Sequence, residues 1–462
     1  MGIDGFARLG AVAVAAMLLA GACSGASTDA TGTPDPDEAT GAPVGPARPA
    51  VPEGPVDEAT ARAFETIARE IGGPSPGFAA TASPEIADVR GAWVLADLLR
   101  IASGTIIGDA AERQAEVLTG LELEPQTAWI DLTNQLLAWD IPEPPGYLAV
   151  KRETLELVEP QWAVLFDEAD AAVDWREVSW GGVLIDDAPL GGGCSRGCIP
   201  ALDDPAVTDA AGGDWYPDDR VVFGIVVGGE ARAYPKNIME VHEMVNDTLG
   251  GRRLGIPYCT LCGSAEAFFT DDVTGATVTP LLLRTSGLLR RSNKIMYDIE
   301  SGSYFDTFEG QAVSGPLQDA GVVLERTQLS VTTWADWKAT HPETTIVAED
   351  GGIGRTYDLD PLGDRDANGP IFPIGDVDDR LGAQTRVLGV AVDDRVVAFP
   401  VAEVEAALDD GDEVVVDGVA VTSGAEGAIE IRVEGDLVVH QESFWFAWSQ
   451  FNPSTELWRA PG

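Results

Sequence analysis

Residues 220–235 read RVVFGIVVGGEARAYP and residues 386–400 read RVLGVAVDDRVVAFP. Each is a β-branched, apolar run broken by a two-residue turn, Gly228-Gly229 in the first and Asp393-Asp394 in the second, and each closes on an aromatic residue and proline. That pattern reads as a β-hairpin. Gly224 aligns with Gly389 and Pro235 with Pro400, both 165 residues apart. Two copies so widely separated imply a duplicated β-rich unit rather than a solenoid. The expectation is a two-lobed β domain over 173–462, with lobes at roughly 173–330 and 345–462 and a ligand cleft between them.

Outward from the hairpins, Thr333 to His341 reads as one capped helix stopped by Pro342, and Phe444 to Phe451 is apolar all round and should be buried. Upstream, the texture from Val56 to Asp170 is helical. Asp57 is placed to cap a helix carrying Phe64, Ile67 and Ile71, with Gly72 and Gly73 as its stop. Ser83-Pro84 opens a second helix running through Trp93 to Leu99. Trp129, Leu132, Leu136 and Trp139 recur at helical spacing before Pro142. Four to six short helices in a small bundle over 56–172, followed by the β domain, make the fold class α+β.

The N-terminus carries an address. Leu9 to Ala22 form an apolar run that ends in Leu-Ala-Gly-Ala before Cys23, which reads as a lipoprotein signal peptide over 1–22 with lipidation at Cys23. The run is shorter than the ~20 residues a membrane span needs. Residues 23–55 are Ala, Gly, Pro, Thr and acidic side chains with no aromatic ring, a composition that cannot bury enough surface to fold and suits a tether. The expected location is the extracytoplasmic face of the cell envelope, with the membrane as partner through the lipid.

With 76 acidic and 29 basic residues the formal charge is −47, which excludes nucleic acid as a default partner. Only four lysines occur, Lys151, Lys236, Lys294 and Lys338. No Gly-x-Ser-x-Gly elbow and no phosphate-cradling loop is present, so hydrolase and transferase chemistry find no support.

Chemistry concentrates in the cysteines. Apart from Cys23 there are Cys194 and Cys198, spaced Cys-x3-Cys, and Cys259 and Cys262, spaced Cys-x2-Cys and followed by Gly263. The second pair falls in a turn between two strand-like runs, one ending near Pro257 and one from Ala265 to Phe269, so both sulfurs are aimed at one point. A thioredoxin-type pair would instead open a helix. Three readings stay open. The pair can be metal ligands, with His242 from the preceding short helix as third ligand and Zn or Cu as the soft metal. It can be a redox pair, or a disulfide in an oxidising compartment. His341, at a helix end, and His440 are the remaining histidines. Asp364 to Gly369 repeats the first half of a calcium loop but has Gly375 where a glutamate is required, so it reads as an acidic turn.

The segment from Val222 to Phe269, with Gly-Glu-Ala-Arg-Ala-Tyr-Pro, His242-Glu243, Val245 to Thr248 and Tyr258-Cys-x-Leu-Cys-Gly263, resembles the bacterial domain of unknown function 3179. Thr285 to Leu289, Met296 to Asp298, Trp334-x-x-Trp337-Lys338 with His341-Pro342, and Phe444 to Trp448 extend the likeness across roughly 175–455. The resemblance implies an exported or lipid-anchored protein and points to the Cys259–Cys262 site, without fixing an activity or whether the protein is an enzyme. Cys194 and Cys198 lie outside the family pattern and are expected to form a local disulfide. Glu243, Ser286 and Tyr297 are expected to line the cleft beside the metal.

Overall fold

The computed structural model describes residues 47–73, 77–166, 172–190, 192, 196–424 and 429–460. Cys23, the signal segment and most of the tether, together with Cys194, lie outside them. The chain divides into two compact units, Met1–Trp162 and Ala163–Gly462, so the helical unit ends before the change of texture at Val173.

In the first unit Asp57 caps the helix Glu58–Ile71 by accepting from Ala59 N and Thr60 N, and Gly72 closes it. Thr105 does the same for Ile106–Thr119. The expected helix from Ser83 is broken into two 3-10 turns, Ser83–Glu85 and Val89–Gly91, before the α-helix Ala92–Ala102. The chain there must turn to bring Ile86 and Val89 into the core as well as Trp93. The helices Ala128–Ala138 and Tyr147–Glu156 complete the bundle. Trp93 is a core residue whose indole donates to Ile141 O at 2.8 Å. No helix among the described residues is long and apolar enough to cross a membrane.

Among its described residues the second unit holds five small sheets rather than two lobes, arranged like a five-bladed propeller. Each hairpin of the sequence echo supplies only the two middle strands of one sheet, and its outer strands come from far along the chain. In one sheet the order is Leu329–Thr333, Val221–Val227, Glu230–Pro235, Thr345–Val347, with Val207–Asp209 at the edge. In another it is Gln441–Phe444, Arg386–Val392, Arg395–Pro400, Glu456–Leu457. Both have the same directions: the first two pairings are antiparallel and the third is parallel.

The correspondence reaches single atoms. A Cβ on Gly224 would meet the Trp337 ring at 2.3 Å, and one on Gly389 would meet the Trp448 ring at 2.2 Å, so only glycine lets either indole lie on its strand. Trp337 Nε1 donates to Thr344 Oγ1 and Trp448 Nε1 to Thr455 Oγ1, each at 2.9 Å. The helices that carry them are Trp334–Thr340 and Trp445–Phe451, the latter almost wholly buried as its composition demands.

A third and a fourth sheet follow these two in the chain. Met244–Leu249, Arg252–Cys259, Ala267–Phe269 and Arg326–Thr327 are successive antiparallel neighbours, and so are Val414–Val416, Val419–Ser423, Ile429–Val433 and Asp436–Leu437. Where the later set turns at Glu434-Gly435, the earlier one admits most of a fifth sheet, Leu283–Arg290, Asn293–Asp298, Tyr304–Asp306 and Ala312–Ser314, which Val178–Trp180 joins from upstream.

Candidate functional site

The strand Arg252–Cys259 is buried from Leu254 onward and delivers Cys259 to a tight turn. Cys262 N donates back to Cys259 O at 3.1 Å, and Cys259 pairs with Ser264 as the chain returns. Gly263 has φ +62°, and a Cβ there would meet the Phe444 ring at 3.0 Å, so glycine is required on both counts. Cys262 O accepts from Phe444 N at 2.8 Å, tying the turn to the strand before the aromatic helix. No helix begins at the pair, in keeping with the reading of a turn between strands.

The two Sγ atoms are 3.0 Å apart, and the side chains are 3% and 0% exposed. That separation is longer than a disulfide of about 2.05 Å. It is shorter than the ~3.8 Å between two sulfurs sharing a tetrahedral zinc at 2.3 Å. The pair is therefore a closed dithiol.

Two elements cover it. The turn of the hairpin Leu283–Arg290 to Asn293–Asp298 places Ser292 O 3.5 Å from Cys259 Sγ and 3.4 Å from Cys262 Sγ, with Asn293 Oδ1 3.7 Å from the latter. Asn293 is held in turn by Asp306 and Thr307. From the other element, Glu243 ends the helix Lys236–His242. Lys294 Nζ donates to Glu243 O at 2.6 Å and pairs with its carboxylate at 2.9 Å, and Thr260 Oγ1 donates to the same carboxylate at 2.8 Å. Glu243, Arg291 and Ser292 have φ of +52°, +45° and +69°: Glu243 is the left-handed cap of its helix, and Arg291-Ser292 is the two-residue turn of the covering hairpin.

The electrostatics separate the two sulfurs. Burial raises the Cys259 thiol, but the hydrogen bond from Cys262 together with the backbone N–H and charge of Lys294 outweighs burial and Glu243, leaving it below the usual thiol value. Burial, its bond to Cys259 and the neighbouring negative charge push Cys262 well up. Of the two, Cys259 is the one that loses its proton more readily.

His242 is not brought to the cysteines. Its Nδ1 lies 2.8 Å from Pro200 O and its Nε2 2.7 Å from Tyr357 Oη, so the ring donates to the carbonyl and accepts from the phenol. Burial pulls it down to about 4. Among the described residues no three His, Cys, Asp or Glu side chains are placed to hold a metal ion together. The Cys259, Cys262 and His242 ligand set is thus not assembled.

Of the three expected cleft residues, only Glu243 stands at the dithiol. Ser286 is buried, donating to Ile295 O and accepting from Leu288 N. Tyr297 donates to Asp186 O at 2.6 Å and stacks on Tyr304. Their sheet turns both side chains into packing rather than into an open cleft. His341 packs its ring against Trp337 at 4.1 Å, and His440, lowered to about 4 by burial, lies by Gln328. Asp364 to Gly369 falls in a 3-10 turn, Gly363–Asn368, from which Arg365 reaches back to donate to Thr260 Oγ1 at 3.1 Å and to Thr260 O. Cys198 Sγ sits 3.7 Å from Asp186 Oδ1.

Sequence reasoning passed over Lys294, Ser292, Asn293 and Arg365. Lys294 had a signal: a lysine in a chain with only four, set inside a strand run, marks a buried charge. Nothing local marked Arg365, 105 residues from the threonine it grips.

Residues 196–432 match the family described as protein of unknown function (DUF3179), half of the chain. The chain belongs to that family. The match contains the dithiol, its covering hairpin and the Glu243–Lys294 pair. No curated protein and no solved structure matches the DUF3179 chain.

Proposed function

We propose that this is an extracytoplasmic protein, lipid-anchored through Cys23, whose β unit carries out two-electron thiol–disulfide chemistry at Cys259 and Cys262. The observation that carries the reading is the pair itself: two sulfurs 3.0 Å apart in unlike surroundings, one lowered and one raised. Oxidation removes two electrons and two protons and forms one S–S bond. The sulfurs close by about 1 Å to reach bonding distance. The signal-like run before Cys23 supports the location.

A soft metal, Zn or Cu, is the second reading. It is favoured by one observation, that two soft sulfur donors lie side by side, with Ser292 O near both and Asn293 Oδ1 near Cys262. His242 would have to leave both its partners to join them. A free-thiol count and elemental analysis of the exported chain, native and Cys259→Ser, separate the readings. Two thiols that vanish reversibly with oxidant, in a metal-free sample, support the redox pair. One equivalent of metal lost with Cys259 supports the metal site. A pair closed in every condition reduces it to a disulfide-stapled binding module.

Two ancillary proposals follow. Cys194 and Cys198 form a local accessory disulfide. The matched sheet orders and the Trp337–Gly224 and Trp448–Gly389 contacts support descent of the β unit from a duplicated segment, with Leu283–Ser314 inserted into the first copy.

A further inference from the structure

The dithiol is buried, with Cys259 3% and Cys262 0% exposed. Cys259 and Cys262 share a packed cluster with Phe308, Ile374 and Phe444, and Ser292 O lies against both sulfurs. A disulfide exchanging with Cys259 must align its S–S bond with the attacking sulfur at about 3–3.5 Å. No such line is open to a protein or peptide disulfide while Cys259 is 3% exposed. Against the cover lies a small pocket, lined by Leu261 of the cysteine turn, Ser292, Arg365, Asp366, Gln384 and Phe446. It has room for about one water molecule. Two of its lining residues also belong to the cover: Leu261 lies between the two cysteines in sequence, and Ser292 O is within 3.5 Å of both sulfurs.

We infer that the oxidant admitted to the dithiol is hydrogen peroxide or a hydroperoxide of a few heavy atoms, rather than a protein or bulky organic disulfide. The inference rests on the dithiol reading above. In the first step Cys259 thiolate attacks one peroxide oxygen, the S–O bond forms and the O–O bond breaks. The departing hydroxide takes the proton of the Cys262 thiol and leaves as water. Cys262 thiolate then attacks the Cys259 sulfur, forming the S–S bond and expelling hydroxide, which takes a proton from solvent. Two sulfurs give up two electrons, and one peroxide becomes two waters. Cys262, 3.0 Å from Cys259, stands where both the proton transfer and the second attack require it. Arg365, Asp366 and Gln384 line the pocket with polar groups that suit a small polar entrant.

The test uses the full reduced chain and follows loss of the Cys259 and Cys262 thiols by peptide mass. Three probes are compared at equal concentration: hydrogen peroxide, cumene hydroperoxide and glutathione disulfide. The expected result is oxidation by hydrogen peroxide at least tenfold faster than by either bulkier reagent, ending in a loss of two hydrogens across the pair. Cys262→Ser should stop one step earlier, with one added oxygen on Cys259 that a dimedone probe captures. Leu261→Ala, which thins the cover without touching a sulfur, should narrow the tenfold preference. Faster oxidation by glutathione disulfide than by peroxide overturns the inference and leaves the dithiol reading standing. Thiols that react with no probe in the folded chain, yet with all three in denaturant, overturn both.

Discussion

Lys294 is one of the groups that hold the Cys259 thiol below its usual value. Its ammonium and the Glu243 carboxylate are 2.9 Å apart with side chains 5% and 15% exposed, so water screens the pair little. Lys294→Met leaves a buried carboxylate without its partner, and breaking such a pair from one side costs about 3–5 kcal/mol. Against a urea dependence near 3 kcal/mol per molar, that moves the unfolding midpoint of the β unit down by about 1–1.7 M. Tryptophan fluorescence during urea titration reads the shift. The second consequence is specific to this geometry. Lys294 lowers the Cys259 thiol and Glu243 raises it, so Lys294→Met should move the thiolate titration, followed at 240 nm, to higher pH. Glu243→Gln should move it to lower pH. Joint replacement should recover most of the stability, since it leaves no orphaned charge. A Lys294→Met protein with native stability and an unmoved Cys259 titration would refute the reasoning.

Other expectations follow from the same contacts. His242 is held neutral at about 4 against an unfolded value near 6.5, so the unfolded chain binds the extra proton between those values and stability falls as pH drops from 6.5 to 4. The stability gap between native and His242→Asn, read by urea titration, should therefore close by about 2–3 kcal/mol across that window. Gly224→Ala and Gly389→Ala should each destabilise by about 2–3 kcal/mol through the clash with Trp337 or Trp448, and similar midpoints for the two would support the repeated design. In the helical unit, Lys151 Nζ is buried and bonded to Asp97 and Tyr147 at 2.9 Å, so Lys151→Met should lower the thermal midpoint of that unit while leaving the dithiol's titration unchanged.

Local signals carried a good part of this fold. Asp57, Gly72 and Thr333 cap helices as their chemistry requires, and the Gly228-Gly229 and Asp393-Asp394 turns sit in hairpins. The turn placement of Cys259 and Cys262 was legible because short β-type runs flank it. What escaped was set by distance along the chain. A hairpin does not announce its outer strands, so Leu329–Thr333 and Gln441–Phe444 could not be assigned to their sheets, and the echo suggested lobes where there are sheets. His242 is 17 residues before Cys259, which made it a plausible ligand on spacing, yet Tyr357, 115 residues away, claims its Nε2. Ser286 and Tyr297 failed for a related reason: polar residues in a strand say which face they occupy only once the neighbouring sheet is known.

The measurement that tests the central claim most directly is a redox equilibrium of the exported, full-length chain against graded dithiothreitol, with the state of Cys259 and Cys262 read by alkylation and peptide mass. The account predicts a single reversible two-electron transition confined to that pair, abolished by Cys259→Ser. A pair that stays in one state across the whole range, or that is blocked by a stoichiometric metal, would contradict it.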